Sequence, residues 1–321
     1  MSPNAQGALL ALLAFAIYAT HDVVVKFLGG DYHAIQIIFF AGLLSFPLAT
    51  TMLMSDRTDG HLRPRHPWWT ALRMVSTVIT GVSAFYAFSV LPLAQTYAIL
   101  FAAPLLITLL AIPLLGEKVG LRRGLAVLVG LVGVMIVLRP GAEPLSLGHA
   151  AALAAAVFSS LASVIVRKIG AEERSVVLLL YPMMANFVVL GLALPFVYKP
   201  MPVVHLGMLG IIALFSFVAM LLIIMAYRQA EAVIVAPMQY SQMIWAAIYG
   251  YLIFDETPDG YTLLGAAVII ASGIYIVLRE GRAKVSENRP VLESRSRPET
   301  GTTPRISLLL RRREIAERNE G

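Results

Sequence analysis

Apolar stretches long enough to cross a membrane follow one another along almost the whole of this chain. A bilayer core needs about 20 apolar residues per helix. Ten stretches fit this length, each bounded by charge, proline or glycine: Gly7–Leu28, His33–Met54, Trp68–Val90, Leu93–Leu115, Leu121–Leu138, Gly148–Val166, Val176–Val197, Leu206–Tyr227, Val233–Phe254 and Tyr261–Leu278. Backbone groups find no partners in lipid, and barrel strands would be shorter and would alternate, so these stretches are predicted to be helices. The pattern predicts an all-α polytopic membrane protein with ten transmembrane helices.

The composition agrees with this pattern and argues against a soluble domain. Apolar residues make up 58% of the chain and charged residues 14%, whereas soluble domains carry about 25% charged residues. The first stretch lacks a basic leading region and an Ala-x-Ala cleavage site, so it is predicted to be a span and not a signal peptide. The chain has no cysteine, which excludes disulfides and thiolate metal sites.

Basic residues cluster in alternate loops and predict the orientation. If the N-terminus is cytoplasmic, most basic loop residues lie on the inner side, among them Arg57, Arg63, Arg65, Arg122, Arg123, Arg167 and Arg228. Lysine and arginine are retained in the cytoplasm, so both termini are predicted to be cytoplasmic. The sequence pI of about 9.6 therefore reflects topology and does not indicate nucleic acid binding. Residues 280–321 are rich in Ser, Arg, Glu and Pro, and they are predicted to form a disordered basic cytoplasmic tail.

The second half of the chain repeats the plan of the first half. Glu256 ends the ninth apolar stretch as Glu117 ends the fourth, and Arg279 follows the tenth stretch as Arg139 follows the fifth. An internal repeat in so apolar a chain is typical of pseudo-symmetric transporters. Each half holds five spans, an odd number, so the second half enters the membrane from the opposite side. The predicted organisation is two inverted five-helix repeats, at residues 7–139 and 148–279.

Two motifs carry a family resemblance. The pattern Leu-Pro-Leu-Ala…Pro…Gly-Glu-Lys at Leu91–Lys118, with its partner at Glu231–Glu256, resembles the drug/metabolite transporter superfamily in its EamA-domain branch. A weaker resemblance, carried by Tyr18–Gly29 and Gln36–Pro47, is to members associated with riboflavin uptake. The family resemblance implies a multi-pass carrier in a bacterial-type inner membrane, with no cofactor and no catalytic chemistry.

The resemblance implies secondary, alternating-access transport of a small organic solute, with riboflavin or a similar planar metabolite as the first candidate. Efflux of amino acids or drug-like metabolites is the alternative. A membrane-embedded enzyme is disfavoured because the zinc-protease, P-loop and nucleophile-elbow motifs are missing, and scattered histidines indicate no metal cluster. A sensor or scaffold would need a folded cytoplasmic domain. The direction of transport and the choice between monomer and homodimer stay open.

Polar residues of the first span are candidates for the transport pathway. Tyr18, Asp22 and Lys26 follow one another at intervals of four residues, and His21 lies three residues after Tyr18, so all four share one helix face. An ionised group at this depth is costly unless it is paired or hydrated. Either Asp22 pairs with Lys26 along the helix, or His21 and Asp22 form a pair that binds a polar substrate group or a proton. A proton as coupling ion stays open.

The ninth span provides a second group of candidates. Gln239 and Gln242 share one face, and Gln242 lies near the midpoint of the span beside Tyr240 and Trp245. A buried amide donates and accepts hydrogen bonds, which suits a planar solute, although contact between helices is the alternative. Four further pathway candidates come from the third and fourth spans: Tyr86, Gln95, Tyr97 and Phe101, the last equivalent to Tyr240 in the repeat.

Prolines and helix-end carboxylates are candidates for moving parts. Pro104 and Pro237 interrupt the fourth and ninth spans, and each removes one backbone hydrogen bond. They are predicted hinges for the rocking of one repeat against the other. Glu117 and Glu256 end the same two spans and are predicted gates, each closing its own face, with a hydrated helix-end carboxylate as the alternative.

Overall fold

The computed structural model describes residues 3–54, 63–117, 120–140, 145–170, 172–173, 175–230 and 232–281, and the elements among them are all helical. The α-helices are α1 (Pro3–Gly29), α2 (Ala34–Met54), α3 (Pro67–Val90), α4 (Leu93–Leu100), α5 (Ala103–Leu115), α6 (Leu121–Leu138), α7 (Leu147–Ile169), α8 (Ser175–Val197), α9 (Val203–Gln229), α10 (Ala232–Val235), α11 (Ser241–Phe254) and α12 (Gly260–Gly281). A 3₁₀ turn, Ala236–Tyr240, joins α10 to α11. Residues 282–321, most of the predicted tail, lie outside the described residues.

Eight helical segments in the described residues are long and apolar enough to cross a membrane. They correspond to the predicted first span, the third to eighth spans and the tenth span. The second predicted span contains a shorter apolar helix, Ala34–Pro47, and the ninth is divided by the 3₁₀ turn. A polytopic helical membrane protein is thereby confirmed, whereas the count of ten spans stays a prediction.

Two of the predicted spans are interrupted at a proline. In the fourth span, α4 ends at Leu100 and α5 begins at Ala103. Pro104 has no N–H to donate to the Leu100 carbonyl one turn earlier, so the α-helical ladder cannot continue unbroken there. The backbone tightens instead, because the Ala102 N–H bonds to the Ile99 carbonyl at 3.0 Å. Pro237 occupies the 3₁₀ turn of the ninth span and has the same effect.

Four pairs of helices make the most extensive contacts in the bundle: α1 with α9, α3 with α7, α6 with α12, and α5 with α7. The α6–α12 pair is close because glycines face each other. A Cβ atom on Gly133 would lie 2.9 Å from the Gly265 carbonyl, and one on Gly265 would lie 2.6 Å from the Gly133 carbonyl. The hydrophobic effect is weak between helices in lipid. Small residues at such crossings let the two backbones approach, so that close packing stabilises the contact.

A third proline is compensated by an arginine from another helix. Pro182 lies inside α8 and cannot donate to the Leu178 carbonyl. The Arg73 guanidinium of α3 donates a hydrogen bond to that carbonyl. A cation at this depth therefore satisfies a backbone acceptor that the proline leaves unpaired, which explains how α8 keeps a proline in its interior.

The α6–α12 contact predicts different outcomes for two alanine substitutions in the same helix. Gly133→Ala places a methyl group 2.8 Å from the Ile269 side chain and 2.9 Å from the Gly265 carbonyl, whereas Gly124→Ala places one where nothing lies within 4 Å. We expect Gly133→Ala to destabilise the protein by about 1–3 kcal/mol, and Gly124→Ala to be neutral or stabilising, since alanine favours a helix over glycine by up to about 1 kcal/mol. Thermal unfolding of purified protein checks this. Equal Tm values for the two variants would contradict the close crossing.

Candidate functional site

A network of buried polar side chains connects α1, α4 and α11. His21 Nδ1 lies 2.8 Å from Asp22 Oδ1, and the Tyr97 hydroxyl donates to Asp22 Oδ2. The Gln242 amide nitrogen lies 3.3 Å from the Tyr97 hydroxyl and donates to it. All four residues are buried. The network therefore joins the two halves of the chain through one hydroxyl group.

The surroundings of Asp22 explain how a carboxylate can be buried here. Each of its two oxygens faces a donor, His21 on one side and Tyr97 on the other, and hydrogen bonds to a charged group offset part of the cost of burial. Nδ1 of His21 faces the carboxylate, and in the tautomer with a proton on Nδ1 it donates to Asp22. The other ring nitrogen, Nε2, is buried and has no hydrogen-bond partner among the described residues. This nitrogen therefore has a hydrogen-bonding capacity that the described residues do not use.

Aromatic rings line one side of this network. The Tyr97 ring packs against Phe88 with centroids 5.2 Å apart and against Phe101 at 5.8 Å. Phe101 in turn meets Tyr240 edge to face at 5.1 Å. Phe101 lies in the interruption between α4 and α5, and Tyr240 ends the 3₁₀ turn of the ninth span. The two interruptions thus touch each other through residues at equivalent positions of the two halves.

Gly273 of α12 makes room for Tyr240. A Cβ atom at this position would lie 1.9 Å from the Tyr240 hydroxyl oxygen, far closer than any real contact. The absence of a side chain at Gly273 is therefore needed to seat Tyr240 against Phe101.

An ion pair closes one end of the α4–α5 segment. Lys26 Nζ lies 2.8 Å from Glu256 Oε1, and the other Glu256 oxygen accepts a hydrogen bond of 3.0 Å from the Leu93 N–H. Lys26 also donates to the Leu91 carbonyl at 2.5 Å and lies over the Phe254 ring. Leu93 is the first residue of α4, so Glu256 caps this helix from another element and places negative charge at its positive end.

A second ion pair lies at the other end of the same segment. Glu117, just after α5, pairs with Arg167 of α7 at 2.5 Å, and the adjacent Lys168 donates to the Leu114 carbonyl. Glu117 and Glu256 end the fourth span of their own halves, and Lys26 and Arg167 lie near the ends of the first helices. The two pairs therefore occupy equivalent positions in the predicted repeat, and each joins the first helix of one half to the predicted fourth span of the other half.

The structure brings together only part of the predicted set. His21, Asp22, Tyr97 and Gln242 form the network, and Phe101 and Tyr240 pack beside it. Of the two interpretations of the first span, the structure shows the His21–Asp22 pair. Lys26 does not pair with Asp22 and forms its ion pair with Glu256.

The remaining predicted residues lie around this centre. Tyr18 is buried in a separate apolar cluster of α1 and α9. Gln95 bonds to His149 of α7 at 3.0 Å, and Trp245 stacks on Tyr249, whose hydroxyl bonds to Thr20. Tyr86 and Gln239 are half-buried. None of these residues is linked to Asp22 by the hydrogen bonds described above.

Sequence reasoning missed two residues beside the network and one residue of the ion pairs at its ends. Phe85 and Phe88 of α3 contact His21 and Tyr97, but phenylalanines in an apolar span carry no distinguishing pattern. The charge pattern places Arg167 in an inner loop, but its position at the end of the sixth stretch matches that of Lys26 at the end of the first, and this match is the signal for its ion pair. Among the residues that the structure describes, no group of three or more His, Asp or Glu could hold a metal ion.

Comparison with known proteins identifies relatives over most of the chain. The model of the EamA-like transporter family matches residues 5–139 and 146–279. An S-adenosylmethionine uptake transporter of Rickettsia bellii is 27% identical over 85% of this chain and 93% of its own length. A riboflavin transporter of Vibrio cholerae is 31% identical over 84% of this chain and 92% of its own length. A pseudopaline exporter of Pseudomonas aeruginosa is 26% identical over 84% of this chain and 94% of its own length.

The contact between Gly273 and Tyr240 predicts a rescue experiment. Gly273→Ala should lower stability by about 1–3 kcal/mol, because the new methyl group overlaps the Tyr240 hydroxyl. Tyr240→Phe removes that oxygen and leaves the nearest ring atom 3.0 Å from the methyl group, so the double variant should recover part of the loss. Thermal unfolding of the two single variants and the double variant measures the coupling. Additive effects would contradict the contact.

Proposed function

The chain belongs to the EamA-like transporter family, and on that premise we propose that it carries a small organic solute across the inner membrane by secondary, alternating-access transport. The observation that carries the proposal is the buried network of His21, Asp22, Tyr97 and Gln242, which lies between two equivalent ion pairs. A polar centre at membrane depth is the usual position of a transporter's solute site.

We further propose that residues 7–139 and 148–279 are inverted five-helix repeats, with ten spans in all. The packing of α1 on α9 and of α3 on α7 supports this, because in each pair the first helix of one half meets the third helix of the other half. The two proline interruptions, at equivalent places and in contact through Phe101 and Tyr240, support it as well. Both termini then lie in the cytoplasm.

In this proposal the two ion pairs are alternating gates. With a cytoplasmic N-terminus, Lys26–Glu256 lies on the outer side and Glu117–Arg167 on the inner side. Both pairs are formed at once, and the network is buried between them, as in an occluded state of the transport cycle. Opening one pair while the other stays closed exposes the site to one side only. Pro104 and Pro237 are the hinges that allow the half-helices to move.

The chemistry of the centre supports a planar solute with hydrogen-bonding edges. The rings of Tyr97, Phe101 and Tyr240 offer stacking surfaces, and the Gln242 amide and His21 Nε2 offer polar contacts. Riboflavin is the first candidate. S-adenosylmethionine, which also contains a planar nitrogen heterocycle, is the second, because relatives of this chain are transporters of one or the other molecule. Relatives include both uptake and export carriers, and alternating access is reversible, so the gradients set the direction.

Gln242→Leu tests the site in a transport assay. Leucine keeps nearly the same volume but removes a donor and an acceptor, a loss of about 1–3 kcal/mol, or roughly five- to a hundred-fold in affinity. We expect flux to fall by that factor while the amount of folded protein changes little. Gln229→Leu, which makes the same substitution at an exposed position at the end of α9, is the matched control.

The assay is uptake into proteoliposomes of labelled riboflavin, S-adenosylmethionine, aromatic amino acids and purines, with and without a pH gradient. A gradient dependence that disappears in Asp22→Asn would assign the coupling proton to the His21–Asp22 pair. No flux of any solute above protein-free liposomes would argue against the carrier proposal, and unchanged affinity with lower stability in Gln242→Leu would make Gln242 a contact between helices.

The gates are testable by cysteine labelling, because the chain has no cysteine of its own. Ala103→Cys places a thiol at the buried interruption of the fourth span. We expect Glu256→Gln to raise the labelling rate by a membrane-impermeant maleimide added outside, about ten-fold or more, and Glu117→Gln to leave that rate unchanged. Labelling from the inner side should show the reverse pattern. The same pattern from both sides for the two variants would contradict alternating gates.

A further inference from the structure

Asp22 is the one carboxyl group in the central network, and its ordinary ionised form carries one negative charge. Tyr97 and Gln242 are neutral, and His21 is neutral or singly positive. The network as a whole therefore has a net charge of minus one or zero, depending on His21. In neither state does it offer a net positive charge to a solute.

Among the residues that the structure describes, three cations on neighbouring elements pair with other groups or lie far along their helices. Lys26 lies one helical turn beyond Asp22, but its charge is matched by Glu256 at 2.8 Å. Arg73 lies on α3 more than three turns before Phe85, or about 18 Å along the helix, and it donates to the Leu178 carbonyl. Arg228 of α9 lies near Gly7, whose neighbours are Ala226 and Ala230, at the far end of α1.

The tyrosines that face this region from other elements add no positive charge. Tyr240 comes from the 3₁₀ turn, and Tyr249 comes from α11, where its hydroxyl bonds to Thr20. The α3 residue nearest to His21 in the ring contacts is Phe85, with centroids 6.1 Å apart. The Tyr97 ring, whose hydroxyl donates to Asp22, packs against Phe88 and Phe101, and the faces of such neutral rings attract cations.

We propose that this site, if it is the solute site of the transport function above, selects solutes that carry a positive charge on or beside a planar ring. Asp22 supplies the counter-charge, and the rings of Tyr97, Phe88 and Phe101 contact the planar group. Charges a few ångströms apart interact more strongly inside a protein than in bulk water. A cation therefore binds this site more tightly than a neutral solute of the same shape, whereas an anion of that shape is repelled.

Two pairs of molecules isolate the charge from the shape. S-adenosylmethionine and S-adenosylhomocysteine differ by one methyl group and one positive charge, and so do N1-methylnicotinamide and nicotinamide. Binding of each molecule to the purified full-length protein is measured by titration calorimetry or by the shift in thermal unfolding. We expect the cation of at least one pair to bind about ten-fold more tightly than its neutral partner.

Two variants locate the source of the preference. Asp22→Asn keeps the shape and removes the charge, so the ratio of affinities should fall to about one. Asp31→Asn makes the same change at an exposed position after α1 and should leave the ratio as in the wild type. If Asp22→Asn does not fold, riboflavin and riboflavin 5′-phosphate are compared on the wild type, where the added anionic group should weaken binding about ten-fold or more.

Each outcome bears on one proposal. Equal binding within both cation pairs in the wild type, or a preference that survives Asp22→Asn, overturns the charge selection. That result leaves the carrier proposal intact wherever proteoliposomes show flux of a neutral solute. Charge-dependent binding without any flux would instead uphold this inference and argue against transport.

Discussion

A carboxylate in the interior of an apolar helix bundle has to be surrounded by hydrogen-bond donors, and the arrangement of this structure depends on that requirement at Asp22. Water is the usual partner of an ionised group, and lipid offers none. His21 supplies one donor from the same helix, and Tyr97 supplies the other from α4. Because Gln242 then bonds to Tyr97, one buried charge holds together elements from both halves of the chain.

The charges at the two ends of the bundle follow a different physical rule. Lys26, Glu256, Glu117 and Arg167 lie at helix ends, where each side chain keeps some contact with the surface. Pairs in such places cost less desolvation than pairs in the interior, so they can separate and form again. The centre is held by hydrogen bonds in a dry environment, whereas the ends are held by contacts that water can replace. This difference suits a molecule whose ends open and whose middle stays assembled.

The features that depend on local sequence were predictable from it. The length of each apolar stretch and the absence of N–H at Pro104 and Pro237 are local properties, and they indicated the helices and their interruptions. The partners of the buried polar groups were less accessible. Helical spacing placed Lys26 beside Asp22, but its ion-pair partner is Glu256, in the other half of the chain. Such pairing depends on how the helices pack, which periodicity alone does not determine.

Within the centre, sequence analysis recognised polar residues and missed apolar ones. His21, Asp22 and Gln242 stand out because a polar group at membrane depth is costly without a function. Phe88 contributes an equally direct contact to Tyr97, but it lies in a span where most neighbours are also apolar. The same limit applies to Gly273, whose role depends on the distant Tyr240 hydroxyl. A single sequence does not reveal which side chains fit together sterically, whereas it does reveal a charged residue inside an apolar span.

One carboxylate oxygen of Glu256 pairs with Lys26, and the other accepts a hydrogen bond from the first N–H of α4. This double role couples the ion pair to the local unfolding of α4. When the carboxylate moves away, α4 loses an acceptor at its N-terminus, and a helix of only 8 residues has little stability of its own. Separation of the charges and fraying of the helix are thus one cooperative event. Amide hydrogens at the start of α4 should then exchange with solvent at the rate at which this end of the protein opens.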